Sequence, residues 1–192
     1  MPGKILKGAI VLSFFSLLMT SLTFFTGCGA QKTEVKKEEP VAQESSSAPA
    51  EDKYEVERKN FEKIVRNIPF KVKSYELYLN SKKYTVDNET IEKYLDEKFI
   101  PALKRLVAVL PPDKKIIIEG HASTTGTEEP SKNFIGNIEL SKRRAEIVLN
   151  YLEKKLNVDK NKVIIKYYGS SRTLPGIDPK DDKNCRVSFS IM

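Results

Sequence analysis

The chain has 192 residues, with 33 Lys and Arg against 26 Asp and Glu, and a formal charge of +7. A modest positive charge favours anionic surfaces such as lipid headgroups or acidic polymers. No basic stripe interleaved with aromatics is present, so nucleic acid is not an expected partner.

Residues 1–27 read as a secretory signal. Lys4 and Lys7 supply a positive start, and an apolar run of 17 residues, Ala9 to Phe25, leads to Thr26, Gly27 and Cys28. That run approaches the length of a membrane span, but the chain turns polar directly after Cys28. A Gly before Cys at this place resembles the lipobox of bacterial lipoproteins, with Phe25 where Leu is common. The resemblance implies cleavage before Cys28 and acylation of Cys28. Without the signal, 165 residues remain at a charge of +5, enough for one domain with a sizeable core. Cys185 would then have no intrachain partner, and reads as a small, semi-buried strand residue.

Residues 29–53 contain no aromatic, Leu or Ile. Such a segment cannot bury enough surface to offset ordering entropy, and is expected to be a disordered tether. As a coil it would span about 25–30 Å, and fully extended about 80–90 Å.

The folded domain is expected over 54–192, with its core over 70–192. Phe61, Ile64, Val65 and Ile68 form one face of a short helix ended by Pro69. From Phe70 to Val86 the chain is rich in Tyr, Val and Lys. Tyr75, Leu77 and Leu79 alternate there as in a half-buried strand. Asp87 or Asn88 is placed to cap a long helix from Glu89 to Leu110, kinked at Pro101 and stopped by Pro111 and Pro112. Lys115–Glu119 holds three consecutive isoleucines, fit for a central strand, and a polar loop follows to about Gly136. A second helix is predicted over 138–156, with Leu140, Ile147, Val148, Tyr151 and Leu152 facing the core. Strands are predicted over 163–168 and 186–191, separated by a long loop. The order β-α-β-α-β-β predicts an α+β fold. It is a two-layer α/β sandwich with a mixed sheet and both long helices on one face.

Four stretches carry a resemblance: IIIEGHAS, ELSKRRAEIVLNYL, IIKYYGSSRTLPG and NCRV. In order and at these distances they resemble the OmpA C-terminal-like family over roughly residues 70–192. Its pattern runs Gly-His-Thr-Asp, Asn-x-x-Leu-Ser-x-x-Arg-Ala, a Gly in the turn after the third strand, and Asn-Arg-Arg-Val. Gly120-His121, Asn137, Leu140-Ser141, Arg144-Ala145, Gly169, Asn184 and Arg186-Val187 match it. The resemblance implies a domain that binds the stem peptide of peptidoglycan without covalent chemistry or cofactor, most often through diaminopimelate. The family aspartate takes the ligand's ammonium, and the Arg before Ala takes its carboxylate.

The ligand-binding set implied here is His121, Ser123, Gly126, Asn137, Arg144 and Arg186. Ser123 stands at the aspartate position, and the loop EEPSKNFIG carries an insertion. A neutral hydroxyl in place of a charged acceptor would cost about 1.5–3 kcal/mol, or about ten- to hundredfold in affinity. Glu128 or Glu129 in the inserted loop could compensate.

Each of these residues also has a plainer reading. His121 is the only histidine, with no second histidine or nearby Cys to serve as catalytic partner or zinc ligand, so it reads as a loop residue rather than a base. Arg144 shares a helix face with 140, 147, 148 and 151. It therefore leans toward the core edge, where a guanidinium usually has an anionic partner from ligand or protein. Arg186 reads equally as a strand residue, and Asp178, Asp181 and Asp182 as turn formers. The leading expectation is a non-enzymatic outer-membrane lipoprotein with the domain in the periplasm or on the surface. Its partners would be the bilayer, through acylated Cys28, and the peptidoglycan stem peptide. The competing expectation is an adhesin or envelope assembly partner, engaging an envelope or host-matrix protein, whose wall-binding site has degenerated.

Overall fold

The computed structural model describes residues 50–157 and 159–192. The expected signal, the acylated Cys28 and the tether up to residue 49 lie outside the described residues. Helix α1 spans Ala50–Ile64, so the last four residues assigned to the tether, 50–53, are helical instead. Tyr54 and Phe61 bury one face of α1, and a Phe61–Phe99 ring contact at 5.5 Å draws it onto the next helical segment. The helix ends before Ile68, because that residue enters a strand.

Strand β1 is short, Ile68–Pro69, and pairs antiparallel with β6. Pro69 cannot donate to a ladder, and β1 accordingly lies at the edge of the sheet. The strand expected around Tyr75, Leu77 and Leu79 is absent; residues 70–84 run as irregular chain. Leu77 and Leu79 do pack on the core, but Tyr75, of the same alternating set, is exposed.

Strands β2 (Thr85–Val86) and β3 (Glu89–Thr90) form a separate hairpin. Its two-residue loop is Asp87-Asn88, at φ 49° and 64°, the left-handed pair that suits a tight hairpin. Neither residue can then cap the following helix, and Thr90 does so, accepting from Lys93 N. Helix α2 (Ile91–Tyr94) continues through a π turn, Leu95–Phe99, into α3 (Ile100–Val109). The disruption expected at Pro101 takes the form of this π turn. The Ile100 N–H reaches back to Leu95 O, and Pro101 falls in the first turn of α3, where its missing N–H does no harm.

Strand β4 (Ile116–Gly120), helix α4 (Asn137–Lys155), strand β5 (Val163–Tyr167) and strand β6 (Arg186–Ile191) follow closely the sequence expectation. The sheet order is β1-β6-β4-β5. The β4–β5 pair is parallel, joined across α4, and β6 is antiparallel to β4. This is the mixed sheet expected. Ile116, Ile118 and Val187 join one core cluster with Leu103, Leu106, Ala145 and Val148, so both helical segments cover one face. Helix α4 lies so close to β4 that a Cβ on Gly120 would sit 1.8 Å from Ser141 O. Among the described residues no helix is long and apolar enough to cross a membrane.

Candidate functional site

Beyond Gly120 the chain leaves β4 and keeps going inward. His121, Ala122 and Ser123 are buried, and the loop after them returns to α4. Backbone bonds hold this stretch to the start of β6 and to the long loop before it: His121 N to Arg186 O at 2.9 Å, Ala122 N to Gly169 O at 2.7 Å, and Thr124 N to Pro179 O at 2.9 Å. The rim of the sheet is therefore polar and closed. Asn137, Ser141, Arg144, Asn184 and Arg186 are buried there with His121 and Ser123.

Arg144 is the centre of this cluster. The sequence placed it at the core edge with an anionic partner. In the fold it is 0% exposed, and its partners are three backbone carbonyls. Nε donates to Ser74 O at 2.8 Å, Nη1 to His121 O at 2.7 Å, and Nη2 to Lys71 O at 3.0 Å. Its guanidinium lies 5.6 Å from the Phe70 ring centroid. Burial holds its pKa below the ordinary arginine value. No carboxylate of the described residues bonds it. The neighbouring Arg143 behaves differently, half-buried and paired with Glu139 at 2.7 Å.

Ser123 is 1% exposed, and its Oγ lies 3.5 Å from Sγ of Cys185, which is buried to the same degree. Cys185 occupies the first Arg position of the Asn-Arg-Arg-Val pattern. Ser123 and Cys185, which stand where the family has Asp and Arg, thus meet. Neither glutamate of the inserted loop supplies the missing charge. Glu128 turns to the Gly169–Ser170 turn, where it accepts from Ser170 N at 3.1 Å and from Ser170 Oγ, and Glu129 is exposed.

His121 is a buried, neutral residue. Its Nε2 pairs with Ser188 Oγ at 2.8 Å, and its ring stacks on Tyr168 at 5.4 Å. Burial, with help from Arg186 and Arg172, lowers its pKa to about 4. Ser188 Oγ in turn donates to Glu119 at 3.3 Å. Arg186 is 7% exposed and donates to Asn184 O and Arg172 O. Asn184 anchors the long loop, accepting from Leu174 N at 2.7 Å and donating to Asp178 O at 2.9 Å. Asp178 and Asp181 accept backbone N–H bonds two residues on, as turn formers do.

His121, Ser123, Arg144 and Arg186 are thus brought together at the rim. Asn137 opens α4, its backbone N–H bound to Thr127 O at 2.9 Å, and its buried Nδ2 has no partner among the described residues. Gly126 stands apart. It adopts φ 100° beneath the Phe134 ring, which a Cβ would approach to 2.6 Å, so its role is to let the inserted loop fold. Sequence reasoning missed the carbonyls of Lys71 and Ser74. Backbone acceptors leave no mark in residue type.

No curated protein matches the chain. Among solved structures, the OmpA-like domain of FopA1 from Francisella tularensis is 26% identical, over 65% of this chain and 70% of that one, with a TM-score of 0.45. The peptidoglycan-associated lipoprotein from Burkholderia pseudomallei is 22% identical, over 66% and 90%, at 0.46. The C-terminal domain of Helicobacter pylori MotB is 20% identical, over 67% and 84%, at 0.44. The OmpA family model matches residues 87–186, more than half of the sequence, and the chain belongs to that family.

Proposed function

We propose that this protein is a bacterial envelope lipoprotein whose OmpA-family domain binds peptidoglycan without covalent chemistry. Cys28 carries the lipid in the outer membrane, residues 29–49 span the gap, and the domain grips the stem peptide. One observation carries the reading. Arg144 is a fully buried cation whose hydrogen-bond acceptors are three backbone carbonyls, with no carboxylate among the described residues bonded to it. Buried charges are ordinarily paired, and a ligand carboxylate would supply the missing counter-charge. Membership of the OmpA family, and the match of Arg144 to that family's carboxylate-binding Arg, support the same reading.

A second reading, an adhesin or envelope assembly partner that no longer binds the wall, is favoured by the closed rim and the neutral Ser123–Cys185 contact. The test is retention of the detergent-solubilised full-length protein on purified sacculi. Wall binding predicts retention that free diaminopimelate competes away. Passage through every sacculus type would leave the second reading in its place. Mass spectrometry of the mature protein checks the anchor, expecting an acylated N-terminal Cys28.

A further inference from the structure

We infer that the strap Lys71–Ser74 is a built-in occupant of the Arg144 site, displaced when a ligand carboxylate arrives; the inference rests on the peptidoglycan-binding reading above. Nε and Nη2 form one edge of a guanidinium, from which two parallel N–H bonds take both oxygens of a carboxylate. Here Nε donates to Ser74 O at 2.8 Å and Nη2 to Lys71 O at 3.0 Å. Two carbonyls of one turn stand where the two oxygens of one carboxylate would. The third bond, Nη1 to His121 O at 2.7 Å, comes from the end of β4. It orients the guanidinium whether or not the strap is present.

The strap is lightly held. Its Ser74 N to Lys71 O bond, 3.1 Å, is internal. Val72 packs on the core cluster, but Lys71, Lys73 and the adjoining Tyr75 are exposed. Lys73 adopts φ 58°, a left-handed conformation unfavourable for an L side chain. Across the site, Lys73 Nζ lies 5.9 Å from the Phe134 ring centroid on the inserted loop, and Tyr75 Oη lies 3.3 Å from Arg143 Nη1. Both are surface contacts of modest strength.

Exchanging two carbonyls for one carboxylate keeps the number of hydrogen bonds and adds a counter-charge, and charge-assisted bonds are about twice as strong as neutral ones. Neither Ser123 nor Cys185 is a carboxylate that would hold a ligand ammonium beside the site. What it selects is therefore a carboxylate, with no requirement for a neighbouring ammonium. The strap sets a threshold: only a ligand that outcompetes it is bound.

Lys73→Pro tests this. Proline fixes φ near about −65°, incompatible with the strap's turn, and the Lys73 N–H makes no hydrogen bond among the described residues. The full-length protein in detergent is labelled with phenylglyoxal, read at Arg144 by mass spectrometry, and its retention is titrated on diaminopimelate-type sacculi. Arg144 should be unlabelled in the wild type and labelled in Lys73→Pro. Half-maximal retention should need about tenfold less sacculus for Lys73→Pro, because the competent state no longer has to be opened. Lys73→Gly relaxes the left-handed turn and should shift retention the other way, which keeps the test decisive if the proline variant does not fold. A labelled Arg144 with unchanged retention overturns the inference and leaves wall binding intact. An unlabelled Arg144 in Lys73→Pro shows that the strap is not the cover. Absence of retention for wild type and variants alike overturns the wall-binding reading itself.

Discussion

The two ends of β4 bury very different things. At Ile116 and Ile118 the strand meets apolar side chains of α3 and α4, and burial there needs only area and shape. A few residues on, at His121 to Ser123, the same chain is equally buried but among His, Ser, Arg and Asn. Polar groups there call for partners, because an unpaired one costs about 1–3 kcal/mol, and most of them find one. The partners are backbone carbonyls of irregular segments: Lys71 and Ser74 for Arg144, Arg172 for Arg186, and Asp178 for Asn184. The apolar end is held by its own side chains, whereas the polar rim is held by loops wrapped around it.

The largest effect is expected where the two ends join. Gly120→Ala places a methyl group against the Ser141 carbonyl, and backbone cannot yield without parting α4 from β4. We expect a loss above about 3 kcal/mol in urea unfolding. A loss below about 1 kcal/mol would mean that the helix is free to shift.

Next comes Arg144→Ala, which strands the carbonyls of Ser74, His121 and Lys71 at once. The expected loss is about 3 kcal/mol, with hydrogen exchange rising in residues 71–76 before it rises in β4. Had Arg144 lain at the core edge, as its helical phase alone indicated, stability would scarcely change. Equal acceleration of both segments would show that rim and core are one cooperative unit.

The smallest effect is a pH dependence confined to the rim. His121 has a folded pKa of about 4 against an ordinary 6.5, so the unfolded chain takes up its proton first as pH falls. Its contribution is complete above pH 6.5, is lost between about 6.5 and 4, and is flat below. The loss should approach about 3 kcal/mol. His121→Gln should abolish this slope in unfolding curves taken across that window, and a slope unchanged in the variant would assign it to other groups.

Much of the apolar end was legible in advance. Helix α4 was expected over 138–156 and is found at Asn137–Lys155, and β6 spans Arg186–Ile191 as expected. Helical and strand periodicity are local, and a few residues suffice to display them. The polar rim was legible only as a set of names. His121, Ser123, Arg144 and Arg186 are indeed neighbours, but nothing in the motif indicated that Arg144 would be wholly enclosed.

The misread strand at Tyr75–Leu79 has the same origin. Alternation records that a segment has a wet side and a dry side, which an irregular chain lying on a core also has. Likewise Asp87 and Asn88 suit a helix cap and a left-handed hairpin turn equally well, and the pairing of Thr85 with Thr90 made the choice. Helix α4, the strands of the sheet beyond Ile116 and the identity of the rim residues could be read from residue type, because each depends on a short window. Tertiary structure alone decided the state of Arg144. Its carbonyl partners on Lys71 and Ser74 lie 73 and 70 positions away, and a carbonyl is the one group every residue shares.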